Sequence, residues 1–148
     1  MFGSVGLFYL SLVSLAYCSV VPTAPGPNEV FKEGQGCNLS WKLDTTDTWK
    51  NFTVDLMSGS NIEMNKVTTV FKGEDGTKGR DSYVWPCPKV DPNSAIYFYQ
   101  FNQEGQMPAW TTRFAIAAKN GTLTAPEHSE QPDGKPIPWG VGKLRVGK

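Results

Sequence analysis

Between Asn28 and Ala117 no stretch of the chain keeps a helical period; apolar residues recur instead in short runs bounded by glycine, proline, asparagine and serine. Such runs are strands, because side chains alternate across a pleated backbone and turn residues interrupt the pairing. Breaks fall at Gly34 and Gly36, at Ser58 to Asn61, from Gly73 to Gly79, from Pro86 to Asn93 and from Asn102 to Pro108. They leave seven strands, over 28–32, 35–42, 51–58, 63–71, 80–85, 95–101 and 111–117. Seven short strands in about 90 residues predict an all-β, immunoglobulin-like or fibronectin-like antiparallel β-sandwich. A small closed barrel is the rival, since periodicity cannot tell closure from two stacked sheets.

After Lys119 the pattern stops. Pro126, Pro132, Pro136 and Pro138 block regular pairing, so residues 119–148 are expected to form an extended Pro/Gly-rich C-terminal tail, with Ile137 and Trp139 placed to dock back. At the other end, Phe2 to Val21 carries no charge and has an apolar centre from Leu7 to Leu15, followed by small residues. That is a secretory signal pattern, assigned to residues 1–18, and it is too short for a membrane span. The sandwich then occupies 19–118. The last residues, Gly140 to Lys148, are not a hydrophobic tail, so no lipid-anchor signal is expected.

Export puts the cysteines in an oxidising compartment. Cleavage after Cys18 leaves Cys37 and Cys87 as an even pair expected to be bonded, whereas cleavage after Ala16 leaves Cys18 as an odd thiol. Cys37 opens the second strand and Cys87 follows the fifth. In a seven-strand sandwich these strands are antiparallel neighbours in one sheet, so the bridge is feasible. It differs from the antibody-type bridge, which joins the second and sixth strands across the two sheets.

Three Asn-x-Ser/Thr sequons stand at Asn38, Asn51 and Asn120. Asn38 has the opposite parity to Cys37, Leu39 and Trp41, and Asn51 opposes Phe52, Val54 and Leu56. Both asparagines should therefore point outward, where a glycan is tolerated.

Catalytic chemistry finds little to stand on. His128 is the only histidine and lies in the tail, so histidine-based nucleophilic sites, zinc sites and a copper histidine brace all lack ligands. No cofactor and no metal is expected. Paired carboxylates of the glycosidase kind would have to come from loop acids such as Asp44, Asp47, Asp55, Glu74 and Asp75, which turn chemistry already accounts for. With 14 basic and 14 acidic side chains the formal charge is zero, which offers no footprint for nucleic acid.

Aromatic residues carry the remaining signal. Trp41, Phe52, Trp85, Phe98 and Phe114 fit core parity, with Tyr97, Tyr99 and Phe101 on the opposite face of their strand. Trp49 and Trp110 end two loops that a sandwich places at the same end, making them the candidate carbohydrate-binding pair. The bland alternative is that both rings seal the core.

The run Pro27 to Phe31, Glu33-Gly34, Cys37 to Trp41 and Trp49 to Ser60 resembles the N-terminal domain of fungal cell-wall-synthesis proteins of the Kre/Knh type. Tyr83 to Cys87, Asp91 to Phe101 and Trp110 to Phe114 agree with it, so the resemblance covers roughly Pro25 to Ile116. Gln131 to Gly134 and Ile137 to Gly140 look like the tail of short secreted basidiomycete-type members. The resemblance implies a secreted or surface-attached fungal protein, linked to assembly of cell-wall beta-1,6-glucan, with no catalytic residues to carry over. Three readings follow. The first is a non-enzymatic, secreted, wall-associated glycoprotein whose partner is beta-glucan or a wall protein. The others are a secreted protein acting on host or immune cells, and a glucan-remodelling enzyme using loop carboxylates.

Overall fold

A computed structural model describes residues 19–146, so the expected signal segment 1–18, with Cys18, lies outside the described residues. Eleven strands follow one another: β1 (Val21–Ala24), β2 (Val30–Lys32), β3 (Gly36–Lys42), β4 (Phe52–Gly59), β5 (Met64–Glu74), β6 (Ser82–Pro86), β7 (Val90–Asp91), β8 (Phe98–Asn102), β9 (Ala109–Trp110), β10 (Ala115–Ala117) and β11 (Lys143–Leu144). The expected seven appear as β2 to β6, β8 and β10. Of the four additions, none exceeds four residues.

A three-stranded sheet ordered β1-β3-β6 packs on a four-stranded sheet ordered β5-β4-β8-β9, and the two stay separate rather than closing into a barrel. The architecture is an immunoglobulin-like β-sandwich. Pairing within both sheets is antiparallel, while β2 runs parallel to β10 at the margin. On β3 the alternation is plain: Cys37, Leu39 and Trp41 are buried, with Gly36, Asn38 and Lys42 exposed between them. The opposing sheet contributes Phe52, Val54 and Leu56 from β4 and Tyr99 and Phe101 from β8. The aromatic rings interlock across the gap. Trp41 meets Phe52 edge-on at 5.5 Å and Phe101 at 5.9 Å, while Phe52 and Phe101 stack at 5.8 Å, geometries that the ring quadrupole favours.

On β8 the expected parity is reversed. Tyr97, Tyr99 and Phe101 face the core, and Phe98 lies on the outer face, buried beneath the Arg113 guanidinium 4.9 Å from its ring. Both parities of this strand are apolar, so alternation alone does not say which face is inner. Register against β4 decides it, because Leu56 pairs with Tyr99 and Met57 with Phe98.

Cys37 and Cys87 are bonded within the three-stranded sheet, their Cα atoms 5.0 Å apart. The tail folds back along the sandwich. Gly140 and Gly142 bring it against Ile96 and Tyr97; the Gly59 N–H donates to the Gly140 carbonyl at 2.7 Å, and β11 pairs with β7. Beyond β11, Arg145 forms an ion pair with the buried carboxylate of Glu33 at 2.8 Å.

Candidate carbohydrate-binding face

Trp49 and Trp110 do not form a pair of exposed rings. Trp49 has no exposed surface and belongs to the core cluster, 6.2 Å from the Phe52 ring. Its burial follows from the loop that carries it. The Asp44 carboxylate accepts the Thr46 N–H and hydroxyl on one oxygen and the Thr48 and Trp49 N–H groups on the other, at 2.6 to 2.8 Å. The loop is curled by these bonds and then tied to Gly76, whose N–H donates to the Trp49 carbonyl while its own carbonyl accepts the Asp44 N–H. A carboxylate surrounded by donors is held below its ordinary range: burial alone would raise the Asp44 pKa, and the bonds from Thr46, Trp49 and Thr48 outweigh it. Asp44 and the threonines that follow are the sequence signal for this inward turn, because Asp and Thr side chains bond nearby backbone in loops.

Trp110 behaves differently. It sits on β9 at the sheet edge, 42 % exposed, with its indole N–H donating to the Gln100 side-chain oxygen at 2.8 Å. Cross-strand register places Trp110 opposite Gln100, Gln100 opposite Asp55 and Asp55 opposite Thr69, one residue from each of the four strands. A chain of hydrogen bonds links them. The Thr69 hydroxyl donates to Asp55 at 2.8 Å, Asn102 donates to the other Asp55 oxygen at 3.3 Å, and Gln100 donates to Asn102 at 2.9 Å. Lys66 lies 3.7 Å from the Asp55 carboxylate. The outer face of the four-stranded sheet thus carries an ordered polar row ending in an exposed indole.

Beside that indole lies a groove of about 330 Å³, with Phe98, Met64, Asn61 and Arg113 among its walls. A flat ring beside fixed amide and hydroxyl groups suits a sugar, which presents C–H surfaces to the ring and hydroxyls to the polar row. The row is legible only once strands are paired, since its members are dispersed from residue 55 to residue 110.

Four of the loop acids are each engaged by a neighbouring side chain or backbone group. Glu74 binds Arg80 at 2.6 Å, Asp75 accepts from Thr77 at 2.6 and 2.8 Å, Asp47 meets Lys50 at 2.9 Å, and Asp44 holds its own loop. Among the described residues no group of three His, Cys, Asp or Glu side chains is placed to hold a metal, and no helix is long and apolar enough to cross a membrane. The sequon asparagines Asn38, Asn51 and Asn120 are all exposed. At Asn120 the side-chain oxygen accepts the Thr122 hydroxyl at 2.6 Å and its N–H at 3.0 Å.

Residues 24–116 match the family model for the Kre9/KNH-like N-terminal Ig-like domain. The chain belongs to this family. The matched residues take in the four-stranded sheet, with Trp110 and the whole polar row, and β3 and β6 of the other sheet, while most of β1 and the tail lie outside them. Kre9/KNH proteins are linked to synthesis of the beta-glucan of the yeast cell wall. Searches of curated proteins and of solved structures found no match.

Proposed function

We propose that this Kre9/KNH-like protein is a secreted, wall-associated glycoprotein that takes part in assembling or organising wall beta-glucan by binding it, without catalysis. The observation that carries this reading is the exposed Trp110 indole, anchored to an ordered polar row on a sheet face of a domain whose family is linked to glucan synthesis. Exposed aromatic surface held by fixed hydrogen bonds costs little to order on binding, which favours retention of a repetitive neutral polymer. Neutral overall charge agrees, since an uncharged glucan offers no electrostatic attraction.

Retention of the secreted protein on insoluble beta-glucan and on chitin, compared with a heat-denatured control, tests the reading. The folded protein should be retained on glucan, and the Trp110→Ala variant should not. Reducing ends released from soluble glucan would replace binding with catalysis. A folded wild type that passes through the glucan unretained would overturn the proposal.

A further inference from the structure

Just beyond the paired ends of β2 and β10, a cleft of about 370 Å³ is walled by Glu33, Lys89, Ala118, Lys119, Asn120 and Arg145. No member of the polar row and no wall of the Trp110 groove lines it. Its one carboxylate is already balanced. Glu33 is buried; one of its oxygens accepts the Val90 N–H at 3.0 Å and the Asn93 amide at 2.8 Å, and the other accepts the Arg145 guanidinium at 2.8 Å. Arg145 is committed to the same spot, where it also donates to the Val90 carbonyl at 3.4 Å and, through its backbone N–H, to the Lys89 carbonyl at 2.9 Å. The ion pair therefore brings no net charge to the opening.

The lysines are uncompensated. Lys89 and Lys119 are exposed, come from separate segments and form no ion pair among the described residues. The Lys119 side chain lies over Gly34, its Cε 3.5 Å from the position a Cβ would take there, and the Gly34 N–H donates to the carbonyl of Cys87, two residues before Lys89. Lys32 stands at the rim: its Nζ is 3.9 Å from the Cβ position of Gly121, the residue after Asn120, and it also forms no ion pair among the described residues. Asp91, the acid next along the chain from Lys89, is placed opposite Lys143 in the register of β7 and β11. Three ammonium groups thus border one concave site in a chain whose formal charge is zero, and a cleft lined by one sign of charge concentrates ions of the other. Lys119 and Arg145 lie outside the family match, so the cleft is a feature of the longer chain.

We infer that this cleft binds the phosphate monoester of a sugar, its phosphoryl group between Lys89 and Lys119 with Lys32 at the rim, and its ring against the neutral walls, Ala118 and Asn120. A phosphate monoester carries a charge of about −1.5 to −2 near pH 7 and three acceptor oxygens, which suits compact ammonium groups acting as point charges. The volume falls within the roughly 300–1,000 Å³ of small-molecule sites and leaves room for a ring beside the phosphoryl group. A free sugar phosphate and a phosphorylated glycan present the same group. The inference does not rest on the glucan reading, and either can fail alone.

Amide chemical shifts of the whole, isotope-labelled secreted protein, with any N-glycans trimmed to their first sugar, test it as glucose-6-phosphate, inorganic phosphate or glucose is added at constant ionic strength. Glucose-6-phosphate should give a saturable shift centred on the amides of Gly34, Lys89, Lys119 and Gly121, and should bind at least threefold more tightly than inorganic phosphate and at least tenfold more tightly than glucose. A trisaccharide carrying the same monoester tells the two sources apart: equal affinity assigns the cleft to phosphorylated glycans, and a loss of at least tenfold assigns it to the free sugar phosphate. The double variant Lys89→Gln, Lys119→Gln, changed at two exposed positions, should bind glucose-6-phosphate at least tenfold more weakly with its unfolding midpoint unchanged. Lys72→Gln, Lys78→Gln removes the same charge from exposed positions elsewhere and should bind as wild type does. Absence of a saturable shift, inorganic phosphate or glucose binding as tightly as the sugar phosphate, or equal losses in the two double variants would overturn the inference.

Discussion

Replacing Trp49 and Trp110 one at a time separates a core ring from a surface ring. Trp49 is fully buried, so truncation to alanine removes its contacts with Phe52 and leaves a cavity, a change that costs about 3–5 kcal/mol in protein cores. Its indole N–H has no acceptor, and deleting a buried donor of that kind returns part of the loss. The expected cost therefore lies near the lower bound, about 3 kcal/mol. At roughly 4 °C per kcal/mol for a domain of this size, Tm should fall by about 12 °C. Trp49→Phe keeps most of the ring and removes the orphan donor, so it should cost less than about 1.5 kcal/mol. Trp110→Ala gives up one partly exposed hydrogen bond and a ring already 42 % in solvent, worth about 1 kcal/mol. Thermal unfolding followed by circular dichroism, with glucan retention measured per folded molecule, gives the contrast: Trp49→Ala loses stability and keeps retention, whereas Trp110→Ala does the opposite. A Trp49→Ala cost below about 1 kcal/mol would refute the core assignment. Undiminished retention by folded Trp110→Ala would refute the binding face.

Four further outcomes are expected. Cys37→Ser opens a bridge that closes 50 residues of chain, which the chain-entropy model values at about 4 kcal/mol; chemical denaturation should show a loss of that order, and a shift below about 1 kcal/mol would count against it. Asp44→Asn should destabilise the domain at pH 7 and progressively less in acid: the folded pKa lies below the ordinary 3.8, so the carboxylate's contribution is complete above that value and lost as pH falls through the folded pKa. Denaturation midpoints of the two proteins should converge at the acid end, and a gap independent of pH would show that the charge is immaterial. In Gly142→Ala the new Cβ would sit 2.5 Å from the Tyr97 hydroxyl oxygen, so the tail should lift from Ser58 and become a site of limited proteolysis, and an unchanged digestion pattern would contradict its docking. Mass spectrometry after glycosidase treatment in labelled water should find glycans at Asn38, Asn51 and Asn120, with Asn38→Gln leaving Tm unchanged because that side chain points into solvent.

The sandwich was legible because its determinants are local. Turn residues punctuate the chain, and alternation on β3 reports its own buried face through Cys37, Leu39 and Trp41. The Cys37–Cys87 bridge was legible for a different reason: the two cysteines are the even pair left after the expected cleavage, and the sandwich makes their strands antiparallel neighbours. Where local signals were ambiguous, they misled. Every residue from Ile96 to Tyr99 is apolar or aromatic, so only pairing with β4 shows that Tyr99 faces inward and Phe98 outward. The short β9 escaped notice because two residues carry no periodicity, and its existence depends on β8 already being in place.

What the sequence determined by itself is seven of the eleven strands, the turns between them and the outward sequons, because each depends on backbone preferences or on side-chain parity within one segment, together with the cysteine pair, which follows from export and an even count. Tertiary structure alone decided that Trp110 stays exposed, which residues share the sheet face and where the tail lies; for Trp49 the local bonds of Asp44 gave a sequence signal that the fold completed. Trp49 and Trp110 are the same residue type at comparable loop ends. One is drawn inward by the Asp44 carboxylate and Gly76, and the other is held at a sheet edge by Gln100, partners 5, 27 and 10 residues away. Contacts between segments distant in the chain form only when the fold brings them together, and at each ring they determined whether water was excluded.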